Sequence, residues 1–305
     1  MSRSSRSSQS SQQAIVATSR EVMAAHARTF NGAAAFLPAD RRDEAAVLYA
    51  LCREIDDLGD ETADRDGLEA LRAQIEGTAE PSPLVGAWLE VAERRHIDSE
   101  PLLHLIDGVL SDLGEVRVAS DAELLRYCYR VAGTVGLLMC GILGVEDDWA
   151  LPHAVDLGLG MQLTNICRDV LEDAERGRVY VPADRLAAVG VTHDQILAGT
   201  ADREAVAEVV LELLDLADGY YASGACGMAA IPFRTRWAIR IASRTYQEIG
   251  EVLRARRGDA LAGRVWVGSL RKLWLVATVV VQRLPRGAHD PQLHRALVGL
   301  PGCVA

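Results

Sequence analysis

Apolar residues recur along most of this chain at intervals of three and four positions. Over residues 40–61, Leu48, Leu51, Ile55 and Leu58 follow this spacing, which is the repeat of an amphipathic α-helix. No stretch alternates apolar and polar residues over several β-branched positions, as a half-buried strand does. The pattern therefore predicts an all-α fold.

Gly and Pro interrupt the helical pattern and mark the predicted helix ends. The stretch RGRVYVP at 176–182 is predicted to be a loop, because it contains Gly177 and Pro182. We expect helices near residues 14–36, 40–61, 67–77, 84–95, 99–112, 121–143, 149–173, 183–188, 201–224, 232–256 and 259–282.

The predicted helices form a single domain over residues 14–284. Residues 1–13 are rich in Ser and Gln, which favours a disordered tail, and residues 285–305 are expected to be an irregular C-terminal tail. The apolar stretches 136–145 and 274–281 are too short to span a bilayer, which takes roughly 20 residues. The second stretch follows two basic residues, so peripheral contact with a membrane is an alternative to core burial.

Charge and cysteine usage narrow the function classes. The net charge of −11 argues against a nucleic-acid partner, because phosphate backbones need dense Lys and Arg. An acidic chain suits a protein that binds divalent cations, and equally an ordinary soluble protein. The six Cys include no CxxC pair or zinc-finger spacing, so we expect reduced thiols in a cytoplasmic protein.

Two pairs of aspartates carry the candidate chemistry. Asp56 and Asp60 lie four positions apart, so both carboxylates share one helix face, where like charges repel unless a cation compensates them. Asp169 and Asp173 repeat the spacing. Each pair alone is also explained by a solvated acidic face. Together, on two helices facing each other across a cavity, they would hold metal ions that bridge diphosphates.

The second pair continues a polar stripe. Gln162 and Asn165 precede Asp169 and Asp173 at steps of three and four, so their oxygens line one wall of a helix. Such oxygens are the ligands that hard cations prefer. Nearby arginines suit bidentate contact with diphosphate, although surface arginines are the alternative; they are Arg53, Arg168, Arg176 and Arg178.

The block YCYRVAGTVGLLMCGIL at 127–143 combines small and apolar residues. Ala132, Gly133 and Gly136 thin the predicted helix, while Val131 keeps its surface apolar. Two interpretations stay open. The small residues either let a neighbouring helix approach closely, or they line an apolar tunnel for a flat ligand.

Four blocks, in this order, resemble the squalene/phytoene synthase family. HARTF at 26–30 is similar to its short N-terminal motif, and LYALCREIDDLGDE at 48–61 to its first aspartate-rich motif. YCYRVAGTVG at 127–136 resembles its other signature block, and QLTNICRDVLEDAERGRVYVP at 162–182 its second aspartate-rich motif. The resemblance covers roughly residues 20–282.

The resemblance implies an isoprenoid synthase-type helical bundle with a central cavity, and a prenyltransferase. The implied reaction is head-to-head condensation of two geranylgeranyl diphosphates, through a cyclopropyl diphosphate, to phytoene in carotenoid biosynthesis. The alternative is a relative that converts two farnesyl diphosphates to presqualene diphosphate, dehydrosqualene or squalene. Mg²⁺ is the implied cofactor, two or three ions per site with Mn²⁺ as a substitute, and NADPH is not needed for phytoene.

The resemblance also assigns site residues. Metal ligation is implied for Asp56, Asp60, Asn165, Asp169 and Asp173. The four aspartates and Tyr180 are the expected catalytic residues. Substrate contacts are expected from Phe30, Tyr49, Arg53, Tyr127, Val131, Ala132, Gln162, Asn165, Arg168, Arg178, Tyr246 and Arg264. The sequence leaves the oligomeric state open.

Overall fold

A computed structural model describes residues 3–26, 32, 34–281 and 283–304. Most of the described chain is helical and only four residues lie in strands, which confirms the predicted all-α fold. Its helices are α1 (Arg3–His26), α2 (Ala39–Asp60), α3 (Arg65–Ile75), α4 (Pro83–Arg95), α5 (Glu100–Ser111), α6 (Asp121–Cys128), α7 (Thr134–Leu143), α8 (Leu151–Glu175), α9 (Ala183–Ala188), α10 (His193–Leu197), α11 (Arg203–Gly227), α12 (Phe233–Ala255) and α13 (Ser269–Val281).

Shorter elements connect these helices. A single π-helical turn, Tyr129–Gly133, joins α6 to α7 and is called the π-turn below. Short 3₁₀ segments lie at Asp148–Ala150, Met228–Ala230, Ala260–Ala262 and Pro291–His294. Two strands of two residues each, β1 (Val116–Arg117) and β2 (Arg178–Val179), pair in parallel.

The chain divides into two compact units. The first contains Met1–Leu113, Leu138–Glu146 and Ile231–Ile239, and the second contains Gly114–Leu137, Asp147–Ala230 and Arg240–Ala305. Helices α7 and α12 have residues in both. The predicted single domain over residues 14–284 therefore stays a prediction.

The first unit is built around helix α2. Its apolar stripe is buried, with Leu51 and Ile55 completely inaccessible, as the spacing of these residues predicts. Helix α2 also carries the buried Glu44, whose carboxylate is held by Arg94 at 3.1 Å and by Arg95 at 2.9 Å. The ion pairs compensate a charge that would be costly to bury alone.

The second unit is built around α8, α11 and the π-turn. Its core includes Leu159 and Leu163 of α8 with Val210 and Leu213 of α11, all fully buried. All six cysteines of the chain are free, and burial raises the pKa of the Cys140 and Cys167 thiols to about 12. Within the described residues, no helix has the length and apolar character needed to cross a membrane.

Glycines allow α8 to approach the π-turn and α7. A Cβ on Gly158 would lie 2.5 Å from the Ala132 carbonyl oxygen, and a Cβ on Gly136 would lie 2.4 Å from the Ala154 carbonyl oxygen. Of the two interpretations of this small-residue block, close helix packing is the one that these glycines support.

Several predicted boundaries were wrong. The expected helix at 259–282 begins only at Ser269, because Gly263 adopts φ +91° and ends the preceding 3₁₀ turn. The expected loop at 176–182 contains β2. Helix α10 was not predicted, although Thr192 and Gln195 form a capping box, which is a sequence signal for the start of a helix.

The two predicted tails also have local structure. Helix α1 starts at Arg3, within the segment that we predicted as a disordered tail. The C-terminal segment contains a 3₁₀ turn, and its His294 and Leu297 are completely buried. The boundaries at residues 13 and 285 stay predictions of domain organisation.

Candidate functional site

The first acidic pair lies in the last two turns of α2. Asp56 is exposed, yet enough protein surrounds its carboxyl to raise the pKa to about 7. Burial is the largest cause, and the negative charges of Asp60, Asp57 and Asp112 add to it, whereas the Arg53 guanidinium opposes it. Carboxylates gathered in this way favour a bound cation.

Arg53 contacts neighbouring carboxylates on its own helix. Its guanidinium pairs with Asp57 and lies 3.6 Å from Glu61. These side chains line a cavity of about 670 Å³ between α1 and α2. The predicted contact of Arg53 with diphosphate stays a prediction.

The second polar stripe lies on α8, as its spacing predicts. The Asn165 side-chain nitrogen Nδ2 donates to the Gln162 side-chain oxygen Oε1 at 3.3 Å. The Asn165 side-chain oxygen Oδ1 is buried and accepts no hydrogen bond from the described residues. A buried oxygen without a donor is an unfavourable arrangement that a cation would relieve.

An ionic cluster surrounds Asp169. Its carboxylate accepts two hydrogen bonds from the Arg168 guanidinium, one of them 2.6 Å from Nε, and lies 3.4 Å from Arg264 Nε. Arg264 also pairs with Glu172 at 2.9 Å. Burial of Arg168 lowers the pKa of its guanidinium, but the hydrogen bonds to Asp169 outweigh this effect, so the pKa of Arg168 is raised.

Tyr246 of α12 lies near this cluster. Burial raises its pKa, while the charges of Arg168 and Arg264 lower it, which places both guanidiniums close to the phenol. The structure thus brings together Tyr246, Arg264, Arg168 and Asp169. The sequence resemblance was weak for the first two. It gave no role to Glu172, and only the structure shows that this residue holds Arg264.

The β-ladder positions two candidate tyrosines. Tyr180 follows β2 directly and is buried, and its ring stacks on Tyr127 of α6 with centroids 4.7 Å apart and planes 25° apart. Arg178 lies on β2, where it pairs with Val116. Two short strands therefore fix a phenol that a loop would leave loosely placed.

The remaining candidates are distributed over both units. Val131 and Ala132 are half-buried on the π-turn, and Tyr49 is half-buried on α2. Phe30 lies outside the described residues. Asp56 and Asp60 belong to the first unit and Asp169 and Asp173 to the second, so the expectation that the pairs face each other stays a prediction.

Comparison with known proteins decides the family. The family model for squalene/phytoene synthase matches residues 23–271. The chain belongs to the squalene/phytoene synthase family. A family member from Paracoccus sp., a 15-cis-phytoene synthase, is 36% identical over 89% of this chain and 94% of its own length. A phytoene synthase from Thermus thermophilus is 39% identical over 87% of this chain and 92% of its own.

Solved structures agree with this family. The crystal structure of a dehydrosqualene synthase in complex with a ligand superposes with a TM-score of 0.80 and 25% identity, covering 88% of this chain and 96% of that one. This similarity confirms the predicted isoprenoid synthase-type helical fold of the squalene/phytoene synthase family.

The residues present suit the divalent metal on which this family depends. The candidate ligands offer only carboxylate and amide oxygens, the donors that Mg²⁺ takes. The Asn165 side-chain oxygen lacks a donor among the described residues, and the negative charges of Asp60, Asp57 and Asp112 add to burial in raising the pKa of Asp56. Both features favour a bound cation.

Proposed function

We propose that this chain condenses two geranylgeranyl diphosphates head to head to phytoene, through a cyclopropylcarbinyl diphosphate. The observation that carries the proposal is its identity of 36 and 39% with a 15-cis-phytoene synthase and a phytoene synthase over nearly their whole lengths. The second step ends by loss of a proton, so no reductant takes part.

Five residues are proposed to hold Mg²⁺: Asp56, Asp60, Asn165, Asp169 and Asp173. The metal supplies positive charge that stabilises the leaving diphosphate. Two or three ions are expected, and Mn²⁺ is expected to substitute for Mg²⁺.

The ion pairs of the second unit support a role for its arginines. Arg168 and Arg264 both contact the Asp169 carboxylate. When Asp169 turns towards a cation, these guanidiniums lose a partner and become available to diphosphate oxygens. Arg suits this exchange because its donors match phosphate geometry in pairs.

The remaining candidates are proposed to line the prenyl chains. The apolar surface of Val131 and Ala132 would exclude water from a carbocation. The Tyr180 hydroxyl would accept or orient a proton. Its stacking on Tyr127 fixes the ring that carries this hydroxyl.

The test is product formation by the purified protein. It is incubated with Mg²⁺ and either C20 or C15 diphosphate, and the product's carbon number is read by mass spectrometry. A C40 hydrocarbon formed without NADPH is expected. C30 products from the C15 substrate alone would reject the chain-length proposal and favour the farnesyl diphosphate alternative.

The metal ligands are tested separately. Asp56→Ala and Asp169→Ala are expected to lower turnover at least a hundredfold while the helical circular dichroism is retained. Asp184→Ala removes an exposed aspartate from the first turn of α9 and serves as the matched control. Turnover of either site variant equal to that of the control contradicts the assignment.

Peripheral membrane contact is proposed through α13. Leu270, Leu273 and Trp274 form an exposed apolar stripe on this helix, while Leu275 and Val279 are buried. Lys272 provides positive charge beside the stripe, and Arg271 lies over the Trp274 ring at 4.5 Å while pairing with the buried Glu248 at 2.6 Å. Trp, Leu and basic residues in this arrangement are typical of helices that lie in the membrane interface.

Vesicle flotation tests this contact. The wild type is expected to float with vesicles that contain anionic phospholipid, and the variant Leu270→Glu/Leu273→Glu is expected to stay in solution. Val298→Glu places the same charge at an exposed apolar position outside α13 and is expected to float. Absence of wild-type flotation at low salt rejects the proposal.

A further inference from the structure

A buried carboxylate in the second turn of α8 holds the C-terminal segment. Asp156 is completely buried and accepts hydrogen bonds from His289 Nε2 and His294 Nε2, each at 2.9 Å, and from Ser223 Oγ at 2.5 Å. Burial alone would raise its pKa, but these hydrogen bonds prevail and lower it. Among the described residues, neither Arg nor Lys pairs with it.

The neighbouring groups fix where the protons lie. The Val304 backbone N–H donates to His294 Nδ1 at 3.1 Å, so the His294 proton must be on Nε2, facing Asp156. Ser223 donates its only proton to Asp156, so His153 Nδ1, 2.9 Å from Ser223 Oγ, must be the donor in that contact. The carboxylate therefore collects three donors.

This proton arrangement excludes two other functions. A metal ion on Asp156, His289 and His294 would need a lone pair on His294 Nε2, and the proton would move to Nδ1, against the Val304 N–H. A hydrolytic triad needs the histidine between the serine and the carboxylate. Here Ser223 donates directly to Asp156 instead, so nothing activates its hydroxyl.

Further anchors continue along the same segment, residues 285–304, which we call the C-terminal strap. The Tyr220 hydroxyl donates to the Leu293 carbonyl at 3.0 Å, and the Tyr129 hydroxyl donates to the Pro301 carbonyl at 2.9 Å. Both tyrosines are buried, and Leu297 of the strap is completely buried in the core of the second unit. The strap is thus part of that core.

The anchor at Tyr129 lies at the first residue of the π-turn. This turn also carries Val131 and Ala132, two candidate substrate contacts. Single π-turns within α-helices are rare, and their altered geometry is frequently found at functional sites. The strap therefore contacts a turn of irregular helical geometry that presents candidate site residues.

We propose that the C-terminal strap, anchored by the hydrogen bond between His294 and Asp156, positions the π-turn for catalysis. The Tyr129 hydroxyl, bound to the strap at Pro301, connects the two. Tyr129 is a positioning residue, because it acts through Val131 and Ala132. The proposal rests on the proposed prenyl diphosphate chemistry of these two neighbours.

Tyr129→Phe and Tyr220→Phe form a matched pair for the test. Each removes one buried hydroxyl that donates to a strap carbonyl, but only the first lies on the π-turn. Similar losses of melting temperature are expected. The kcat for pyrophosphate release is expected to fall about tenfold in Tyr129→Phe, which is ~1.4 kcal/mol of activation free energy, because only this variant loosens the π-turn, and less than twofold in Tyr220→Phe.

Hydrogen exchange gives a second readout that does not depend on activity. Amides of residues 129–137 are expected to exchange faster in Tyr129→Phe and at the wild-type rate in Tyr220→Phe. Wild-type kcat in Tyr129→Phe, or equal exchange of residues 129–137 in the two variants, overturns the proposal, because the strap then does not act through the π-turn. A wild type that releases no pyrophosphate from C15 or C20 diphosphate rejects the proposed function, while the exchange comparison still decides the role of the strap.

The metal alternative is tested with zinc alone. Stoichiometric binding of Zn²⁺ would overturn the hydrogen-bonded assignment if it raises the melting temperature of the wild type and is absent in His289→Leu. No zinc uptake is the expected result.

Discussion

Gly158 offers a sharp test of how closely α8 packs on the π-turn. In Gly158→Ala the new Cβ would lie 2.5 Å from the Ala132 carbonyl oxygen and 2.9 Å from Gly133 Cα. Ordinary contact begins at 3.4 Å, so backbone would have to move by about 0.9 Å. Both neighbours are backbone atoms and cannot turn aside as a flexible side chain would.

The expected loss of stability combines two opposing effects. Overpacking of a core costs about 3 kcal/mol at its upper range, while Ala is favoured over Gly within a helix by about 1 kcal/mol. Gly158→Ala should therefore destabilise the protein by about 2 kcal/mol. Gly219→Ala, in an exposed position of α11 with nothing within 4 Å of the new Cβ, should stabilise it by about 1 kcal/mol.

Urea denaturation of the two variants measures this difference directly. The variants should shift the midpoint in opposite directions, with free energies of unfolding about 3 kcal/mol apart. If Gly158→Ala is as stable as the wild type, α8 and the π-turn are further apart than described. The glycine positions would then need another explanation.

Three further predictions concern charge. The pKa of Asp56 is raised to about 7, so its ionisation weakens the folded state as pH rises from about 4 to 7; Asp56→Asn should raise the melting temperature of metal-free protein at pH 8 but not at pH 4. Arg264→Lys should raise the KM for diphosphate substrate about tenfold, because an ammonium cannot contact two diphosphate oxygens in the paired geometry of the guanidinium; an unchanged KM refutes this. Glu44→Gln should cost about 1.5 kcal/mol of unfolding free energy in urea titration, since the ionic hydrogen bonds from Arg94 and Arg95 are weakened while Arg94 is half exposed and Arg95 keeps Asp40.

The sequence predicted those features that depend on local spacing. The apolar stripe of α2 and the polar stripe of Gln162, Asn165 and Asp169 on α8 follow from the helical repeat, because residues three and four positions apart share a face. The family and the all-α fold, predicted from four sequence blocks, are confirmed by the comparisons. The assignment of catalytic, substrate and metal roles stays a prediction.

Features that depend on distant contacts could not be predicted. The π-turn has an ordinary helical sequence, and its close neighbour Gly158 lies on another helix. Asp156 gives only a weak signal, a carboxylate within an apolar stretch, and its histidine partners lie far along the chain. The helix break after Ala262 could have been predicted from Gly263, a residue type that readily takes a positive φ. The apolar pattern of the surrounding residues nevertheless favoured a continuous helix.

The ionic cluster around Asp169 has a consequence for the order of binding. Arg168 and Arg264 balance the formal charges of Asp169 and Glu172, so this ionic cluster is neutral in the metal-free protein, and Asp173 is the further carboxylate of the stripe. A free cation would gain less at Asp169 than at a bare carboxylate, because it would displace the Arg168 and Arg264 guanidiniums, although Arg264 would keep its pairing with Glu172. A cation that arrives already bound to a diphosphate supplies the anion as well. We therefore expect Mg²⁺ to enter this half of the site together with substrate, as a magnesium–diphosphate complex.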